Sequence, residues 1–273
     1  MSLISERSVK LHEAGQCVII AADELDLERT LELARAIGPA VYAIKVHHLV
    51  DRHGPEVVRW LKEHGARRVW VDAKIPDIPN TVAKRVQAIT AAGANFITVM
   101  ASAEVDAMVA AIAARAQYFA QAASEGALDV SVAAADGAGG SGIVAVTVLT
   151  SLDEEQAHLL YGQPARAAVL YQARLAKLAG VKHVVCSPRE LDLLVKRREL
   201  EGMDFFVPGI RPAGKAAGDQ KRFDTPTAAI KAGRGRVRLV IGRAITEASD
   251  PATAVFDICE EVATAVAERR EAQ

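Results

Sequence analysis

The chain has 273 residues, of which 51% are hydrophobic and 25% are charged, a balance typical of a globular protein with a substantial buried core. Its formal net charge of −1 gives no broad basic surface, so we expect neither nucleic acid nor a membrane as a partner. The cysteines, Cys17, Cys186 and Cys259, lie far apart, which argues against a disulfide framework or a zinc site. The N-terminal segment is polar, and no apolar run approaches the ~18 residues of a membrane span. We therefore expect a cytoplasmic protein.

Short apolar runs alternate with amphipathic segments along the chain. In order, the runs that predict buried strands are 17–23, 41–46, 68–74, 96–100, 143–149, 183–187, 204–209 and 237–243. The segments between them have helical periodicity, and several end at glycine. Strands that are apolar on both faces and are each followed by a helix are typical of a parallel sheet covered by helices. The pattern favours a (β/α)8 barrel that forms a single domain over residues 1–273, with an open doubly wound sheet as the alternative.

A Gly/Ala-rich insertion, residues 126–142, precedes the fifth predicted strand. Its glycines suggest a phosphate cradle, but phosphate loops follow a strand and open a helix, whereas this segment leads into a strand. We therefore interpret it as a flexible loop at the barrel face remote from the chemistry.

The segment "VDAKIPDIPNT", residues 71–81, carries the densest charge next to a predicted strand. Asp72 and Lys74 close the third strand, and because side chains alternate along a strand they point to the same side. Pro76 ends the strand and Pro79 suits the first turn of the next helix, which leaves Asp77 on a short, stiff loop. Active sites of such barrels lie at the carboxyl ends of the strands, so this segment predicts a site at the barrel mouth.

The neighbouring strands support that prediction. Asp23 follows the first strand, and Lys45 lies close to the end of the second. Any two of these groups taken alone could instead form an ordinary structural ion pair with no role in a site. Four charged groups at corresponding strand ends have no use in an apolar core, so together they indicate a catalytic or binding site.

The last two strands predict a phosphate site. The seventh leads into Pro208 and Arg211, and the eighth into Gly242 and Arg243. Glycine lets backbone N–H groups approach an anion, and arginine matches phosphate geometry with two parallel hydrogen bonds. The loop 211–222 is predicted to be a lid that closes over the substrate.

Several segments resemble the orotidine 5′-phosphate decarboxylase family. "DAKIPDIPNT" resembles its Asp-x-Lys-x-x-Asp motif, "VPGIRPAGKAAGDQKR" (207–222) its phosphate loop and "VIGRAIT" (240–246) its final strand. The segments "VTVLTS" and "VVCSPRE" are similar to the bacterial form. The resemblance extends from about Val18 to Ala254, with departures at Pro76 and near Met100, where the family commonly has histidine.

The resemblance implies conversion of orotidine 5′-phosphate (OMP) to UMP and CO2 in de novo pyrimidine biosynthesis, without a cofactor or a metal. It implies that Lys74 protonates C6 of the pyrimidine, that Asp72 faces the substrate carboxylate, and that Lys45 and Asp72 fix the position of Lys74. It also implies a homodimer with shared active sites, in which Asp77 enters the neighbour's site. The resemblance implies three further sets of contacts with the substrate. Asp23, Lys45 and the partner's Thr81 would contact the ribose, Thr150 the pyrimidine ring, and Gln220 both the ring and the phosphate.

The chemistry agrees with these residue types. Decarboxylation leaves a carbanion on a ring carbon that no adjacent carbonyl stabilises, and a preorganised ammonium can stabilise that charge and then donate a proton. Two alternatives remain: a metal-dependent 3-keto-sugar-phosphate decarboxylase or hexulose-phosphate aldolase that shares the charged motif, and a catalytically silent nucleotide-binding barrel. The "IPNT" and "PGIR…GDQ" segments favour the OMP decarboxylase, and the intact charged positions argue against the silent barrel.

Overall fold

The computed structural model describes residues 3–126, 142–212 and 224–271. Within them, parallel strands close into a barrel in sequence order from β1 to β8. The strands are β1 Val18–Ala21, β2 Ala43–Val46, β3 Val69–Ile75, β4 Phe96–Met100, β5 Gly142–Val146, β6 His183–Val185, β7 Asp204–Val207 and β8 Val237–Ile241. The predicted (β/α)8 barrel is therefore confirmed. Of the predicted insertion, 127–141 lies outside the described residues, as do positions 213–222 of the predicted lid, which include Gln220.

Helices connect the strands and cover the outside of the barrel. They are α1 Leu3–Gly15, α2 Leu27–Ile37, α3 His48–His53, α4 Val57–Glu63, α5 Pro79–Ala91, α6 Glu104–Ser124, α7 Glu154–Tyr161, α8 Ala165–Leu178, α9 Pro188–Val195, α10 Pro226–Ala232, α11 Arg243–Thr246 and α12 Pro251–Glu271. Pro79 is the first residue of α5, as predicted. N–H groups in the first turn of a helix have no partner within the helix, and proline has no N–H to leave unpaired. None of the described helices has the length and apolarity needed to cross a membrane.

Several strands are shorter than their apolar runs. β5 ends at Val146 rather than at residue 149, and β6 ends at Val185 rather than at residue 187. Two apolar residues beyond these ends are buried, Val148 at 2% exposed and Cys186 fully, whereas Leu149 is 36% exposed. Apolarity therefore overestimates the length of the hydrogen-bonded ladder.

The barrel interior is filled by an apolar layer below the mouth. Trp70, Phe96 and Phe206 pack edge to face, with ring centroids 5.2 Å apart for Trp70 and Phe206 and 5.3 Å apart for Phe96 and Phe206. A larger apolar layer lies between the outside of the strands and the helices. Charged side chains at strand ends consequently face the mouth and rest on an apolar floor.

Candidate active site

A cavity of about 600 Å³ opens at the carboxyl ends of the strands. Its lining includes most of the site residues expected from the sequence: Asp23, Lys45, Asp72, Lys74, Thr150, Pro208, Arg211, Gly242 and Arg243. Its size is in the range that small-molecule sites occupy. The residues expected at separate strand ends thus line one cavity.

Asp72 is the centre of a chain of charges on the cavity floor. Its Oδ2 accepts hydrogen bonds from Lys74 Nζ at 2.6 Å and from Lys45 Nζ at 3.1 Å. Lys45 Nζ also donates to both oxygens of Asp23, at 2.5 and 2.6 Å. The array therefore alternates in charge from Asp23 through Lys45 and Asp72 to Lys74. Lys45 and Asp72 are buried, whereas the Lys74 side chain is 40% exposed and reaches into the cavity.

The alternation of charge fixes the protonation of the buried pair. Burial by itself would raise the pKa of Asp72, but the charges of Lys45 and Lys74 and the hydrogen bonds from Lys74 and Thr98 lower that pKa to about 2. Burial would lower the pKa of Lys45, yet the Asp72 and Asp23 carboxylates raise it above its ordinary value. Asp72 thus remains an anion and Lys45 a cation throughout the physiological pH range.

Thr98 is a site residue that the sequence reasoning missed. Its hydroxyl donates to Asp72 Oδ1 at 2.8 Å and accepts from the backbone N–H of Lys74 at 2.9 Å. Thr98 lies in β4 on the same side as Phe96, so a polar residue at an inward-facing position of an apolar strand was the available signal. Because of Thr98, both oxygens of Asp72 have hydrogen-bond donors.

The backbone of Lys74 has a left-handed conformation, with φ +41°, which is uncommon for a residue other than glycine. The pairing of β3 with β4 changes register between Val71 and Ile75, so Lys74 occupies an irregular part of the strand. Such strain persists where surrounding contacts hold it, and it is concentrated at functional sites. Here the contacts to Thr98 and Asp72 hold both ends of Lys74.

Two further side chains line the cavity beside the charges. Trp70, two residues before Asp72, contributes to the floor, and Lys45 Nζ lies 5.7 Å from the centroid of its ring. His47 accepts a hydrogen bond at Nδ1 from the backbone N–H of His48, and its Nε2 lies 3.7 Å from Asp23 Oδ1. Burial lowers the pKa of His47 in spite of the nearby Asp23, so its ring is neutral at physiological pH.

Asp77 and Thr81, which the family resemblance assigns to the site of a neighbouring subunit, are absent from the lining of this cavity. Asp77 is exposed, and its Oδ1 accepts from the backbone N–H of Ile78 at 2.8 Å. The side chain of Ile78 is 67% exposed, which is unusual for a large apolar residue. Within one subunit, the loop after β3 therefore faces away from that subunit's own cavity.

Two arginines line the cavity where β7 and β8 end, next to β1 in the closed barrel. Burial lowers the pKa of Arg211, and the positive charge of Arg243 lowers it further. Arg243 Nε lies 3.9 Å from a carboxylate oxygen of Glu24. Two arginines beside Gly209 and Gly242 form a surface suited to a phosphate group.

The depressed pKa of Asp72 makes a prediction for stability. The pKa of Asp72 is lower in the folded than in the unfolded state. Such a carboxylate stabilises the fold at any pH above its unfolded-state pKa, and this stabilisation is lost as the pH falls towards its folded-state pKa. We expect the difference in free energy of unfolding between the wild type and Asp72→Asn to shrink by about 1 kcal/mol between about pH 5 and about pH 3. Urea unfolding at several pH values measures this difference.

Asp192→Asn is the matched control for that measurement. Asp192 forms an exposed ion pair with Lys196 one helical turn away, a type of pair that contributes little to stability. Its difference from the wild type should stay nearly constant over the same pH range. An Asp72→Asn difference that is equally constant would contradict the depressed pKa.

The fold and the cavity define a class: parallel (β/α)8 barrels with a small-molecule site at the carboxyl ends of the strands. The chain belongs to the orotidine 5′-phosphate decarboxylase / HUMPS family, whose model matches residues 16–258. A protein of Rhodopseudomonas palustris (strain BisA53) named orotidine 5′-phosphate decarboxylase is 38% identical over 252 residues, which are 92% of this chain and 96% of that protein. A protein of the same name from Thermobifida fusca (strain YX) is 36% identical over 247 residues, 90% of this chain and 95% of that one.

A solved structure supports the same assignment. The crystal structure of orotidine 5′-phosphate decarboxylase from Lactobacillus acidophilus has a TM-score of 0.68 and 29% identity, and the match covers 90% of this chain and 99% of that one. The structure of the enzyme from Pyrococcus horikoshii OT3, with a TM-score of 0.66 at 21% identity, has the same fold. The family indicated by the sequence motifs is thereby confirmed.

Proposed function

We propose that the protein is an orotidine 5′-phosphate decarboxylase, a carboxy-lyase that converts OMP to UMP and CO2 in de novo pyrimidine biosynthesis in the cytoplasm. The observation that carries this proposal is the alternating array, in which a buried, anionic Asp72 holds the ammonium group of Lys74 at the mouth of a cavity that is also lined by Arg211 and Arg243. Family membership and the names of the relatives support it.

Lys74 is the proton donor in this proposal. The bond between C6 and the carboxylate carbon breaks, CO2 leaves, and the electron pair remains on C6. The Lys74 ammonium stabilises that developing charge and then transfers a proton to C6. The partly exposed position of the side chain gives Lys74 a route to recover its proton from solvent. No cofactor takes part.

Asp72 serves as a fixed negative charge. Its oxygens are held by Thr98, Lys45 and Lys74, so it cannot turn away when the substrate carboxylate comes to lie opposite it. Loss of CO2 removes the like charge beside Asp72, and the Lys74 ammonium then faces both Asp72 and the carbanion. The arrangement therefore favours the transition state over the bound substrate.

The rest of the substrate is assigned to other residues that line the same cavity. We assign the ribose hydroxyls to Asp23 and Lys45 and the pyrimidine ring to Thr150, and the position of all three in the cavity lining supports this. We assign the phosphate group to Arg211 and Arg243, together with the backbone beside Pro208 and Gly242. Gln220, which lies outside the described residues, is assigned to the ring and the phosphate on the family resemblance alone.

Asp77 and Thr81 are proposed to complete the site of a second subunit. Both are absent from their own subunit's cavity, and the exposed Ile78 beside Asp77 is suited to burial in an interface. In a two-fold symmetric homodimer, the loop after β3 of each subunit would supply its Asp77 to the other, and both sites would be completed in the same way.

The metal-dependent alternative within the family is less consistent with this geometry. A metal at the Asp-x-Lys-x-x-Asp motif needs Asp72 as a ligand, but Asp72 Oδ2 is shared by two ammonium groups and Oδ1 by Thr98. A divalent cation placed there would be repelled by the charges of both Lys45 and Lys74.

Purified protein is expected to decarboxylate OMP at an undiminished rate in the presence of EDTA. The measurement is the loss of OMP absorbance, with the formation of UMP verified by chromatography. Failure to produce UMP would contradict the proposed activity and favour a silent barrel. Activity that EDTA abolishes and a divalent cation restores would favour the metal-dependent reaction type.

Arg243→Ala is expected to lower kcat/KM for OMP by roughly 10- to 100-fold, because it removes a charge-assisted hydrogen bond to the phosphate. Steady-state kinetics measure the change. The matched control is Arg174→Ala, which removes an exposed arginine paired with Glu199 and should leave kcat/KM unchanged. If the two variants had the same kcat/KM, the assignment of Arg243 to the phosphate site would be wrong.

A further inference from the structure

A second cavity, of about 320 Å³, lies at the other end of the barrel. It is enclosed by α1, by the segment that enters β1 at Gln16 and Cys17, by the start of β8 at Val237, and by the last turns of α12. These are the amino ends of β1 and β8, whose carboxyl ends carry Asp23 and Arg243. The reaction proposed above therefore uses none of its residues.

The charges around this second cavity are mostly positive. Lys10, Arg269 and Arg270 line it, against a carboxylate from Glu13. Arg270 lies 3.4 Å from Glu13 and is thereby neutralised. Within the described ranges of the chain, neither Lys10 nor Arg269 has a carboxylate within ion-pair distance. Two positive charges therefore remain without a counter-charge there.

The guanidinium group of Arg269 lies beside Gly235. Gly235 has φ +85°, and a Cβ added to it would lie 3.4 Å from Arg269 Nη1 and 3.6 Å from both Cζ and Nη2. An added Cβ would therefore make ordinary van der Waals contact with the guanidinium group, and the positive φ is what favours glycine here. The guanidinium group of Arg269 thus lies beside Gly235 in the wall of the cavity.

Two hydrogen-bond donors at this cavity lack acceptors. Arg269 Nε and Gln16 Nε2 are both shielded from solvent, and among the described residues neither has a hydrogen-bond partner. A buried donor without an acceptor is costly, and a bound water or a ligand oxygen would satisfy it. The donors and the uncompensated charge lie on the same cavity.

The rest of the wall is apolar. It includes Ala14, Ile230, Val237, Ala263 and Val266. Burial raises the pKa of the Cys17 thiol in spite of nearby arginines, so Cys17 adds a neutral surface. A ligand that fits this cavity combines an apolar body with an anionic group.

We propose that this cavity binds a small phosphate monoester with an apolar ring or chain, whose phosphate lies between Arg269, Gln16 and Lys10. Two uncompensated cations suit a dianion better than a carboxylate. The apolar wall suits a carbon skeleton and gives no advantage to free phosphate. Binding at this end of the barrel would be independent of turnover at the mouth.

Phenyl phosphate is a suitable probe. Titration calorimetry on Arg243→Ala protein, which weakens phosphate binding at the mouth, is expected to show one saturable site. Adding Arg269→Gln should weaken that binding about tenfold or more, while Arg269→Lys should retain part of it through its charge. Inorganic phosphate and phenol should each bind about tenfold more weakly than phenyl phosphate.

Arg174→Gln in the same background is the control and should leave binding unchanged. Thermal unfolding identifies any variant that fails to fold, and Gln16→Leu then takes the place of Arg269→Gln with the same expected loss. Binding that persists at full strength in Arg269→Gln, or that is absent from the Arg243→Ala protein, overturns the proposal. Equal affinity for phenyl phosphate and inorganic phosphate would show that the apolar wall does not contribute to binding, which overturns the proposed apolar ring or chain of the ligand.

Discussion

Replacing Lys74 by alanine is expected to lower kcat for OMP by on the order of 10⁵-fold or more, while the barrel still folds. The substitution removes both the charge that stabilises the carbanion and the proton that it needs, and these two effects act in the same step. Folding is expected to survive because the Lys74 side chain is partly exposed and Asp72 keeps its bonds to Lys45 and Thr98. Absorbance assays give kcat, and circular dichroism gives the melting temperature.

The backbone of Lys74 makes this experiment more specific. Alanine at φ +41° is as strained as lysine, so Lys74→Ala tests the side chain alone, whereas Lys74→Gly also relieves the strain. Both variants should be inactive, and the glycine variant should be the more stable. Lys84→Ala, on the exposed face of α5, is the matched control and should keep full activity. Residual activity of Lys74→Ala within about tenfold of the wild type would exclude Lys74 as the proton donor.

The sequence predicts the barrel and the location of the charged array for the same physical reason. Parallel strands bring their carboxyl ends to one rim, so charged residues at corresponding ends must meet there, whatever the details of each strand. Asp23, Lys45 and Asp72 could be assigned to one site in this way. Arg211 and Arg243, which are proposed to bind the phosphate, line the same cavity for the same reason.

The details of the array could not be predicted by that rule. The alternation argument treats β3 as regular, but the register shift between Val71 and Ile75 and the left-handed backbone of Lys74 depend on pairing with β4. Thr98 is separated from Asp72 by 26 positions in the sequence, and its contacts arise only when β4 lies beside β3. A polar residue at an inward-facing position of β4 is a local signal, but it does not show which residue Thr98 contacts.

The location of Asp77 follows a different logic. Spacing places it near Asp72 and Lys74 in sequence, but Pro76 ends the strand and the chain then turns away from the cavity. The single-subunit structure and the family resemblance agree only if Asp77 acts in a neighbouring subunit. This part of the site is therefore a hypothesis about assembly, and it has a direct test.

Mixed dimers of an inactive Lys74→Ala chain and an inactive Asp77→Ala chain are expected to regain activity. If each site takes Lys74 from one subunit and Asp77 from the other, one site of the mixed dimer carries both defects and the other carries neither. Each mixed dimer should then have about half the activity of the wild-type dimer, and a random mixture about a quarter, since half of its dimers are mixed. Co-expression of the two chains with different affinity tags allows the mixed dimer to be isolated and its kcat measured.

The opposite arrangement gives an opposite result, which makes the mixed dimer decisive. If Asp77 acted in its own subunit, every site would contain exactly one defect, and the purified mixed dimer would be as inactive as its parents. The control is a mixed dimer of Lys74→Ala with Asp72→Asn, two residues that share a cavity within one subunit. There each site keeps one defect, so no activity should return. Recovery with Asp77→Ala but not with Asp72→Asn would show that the segment from Asp72 to Asp77 serves two active sites.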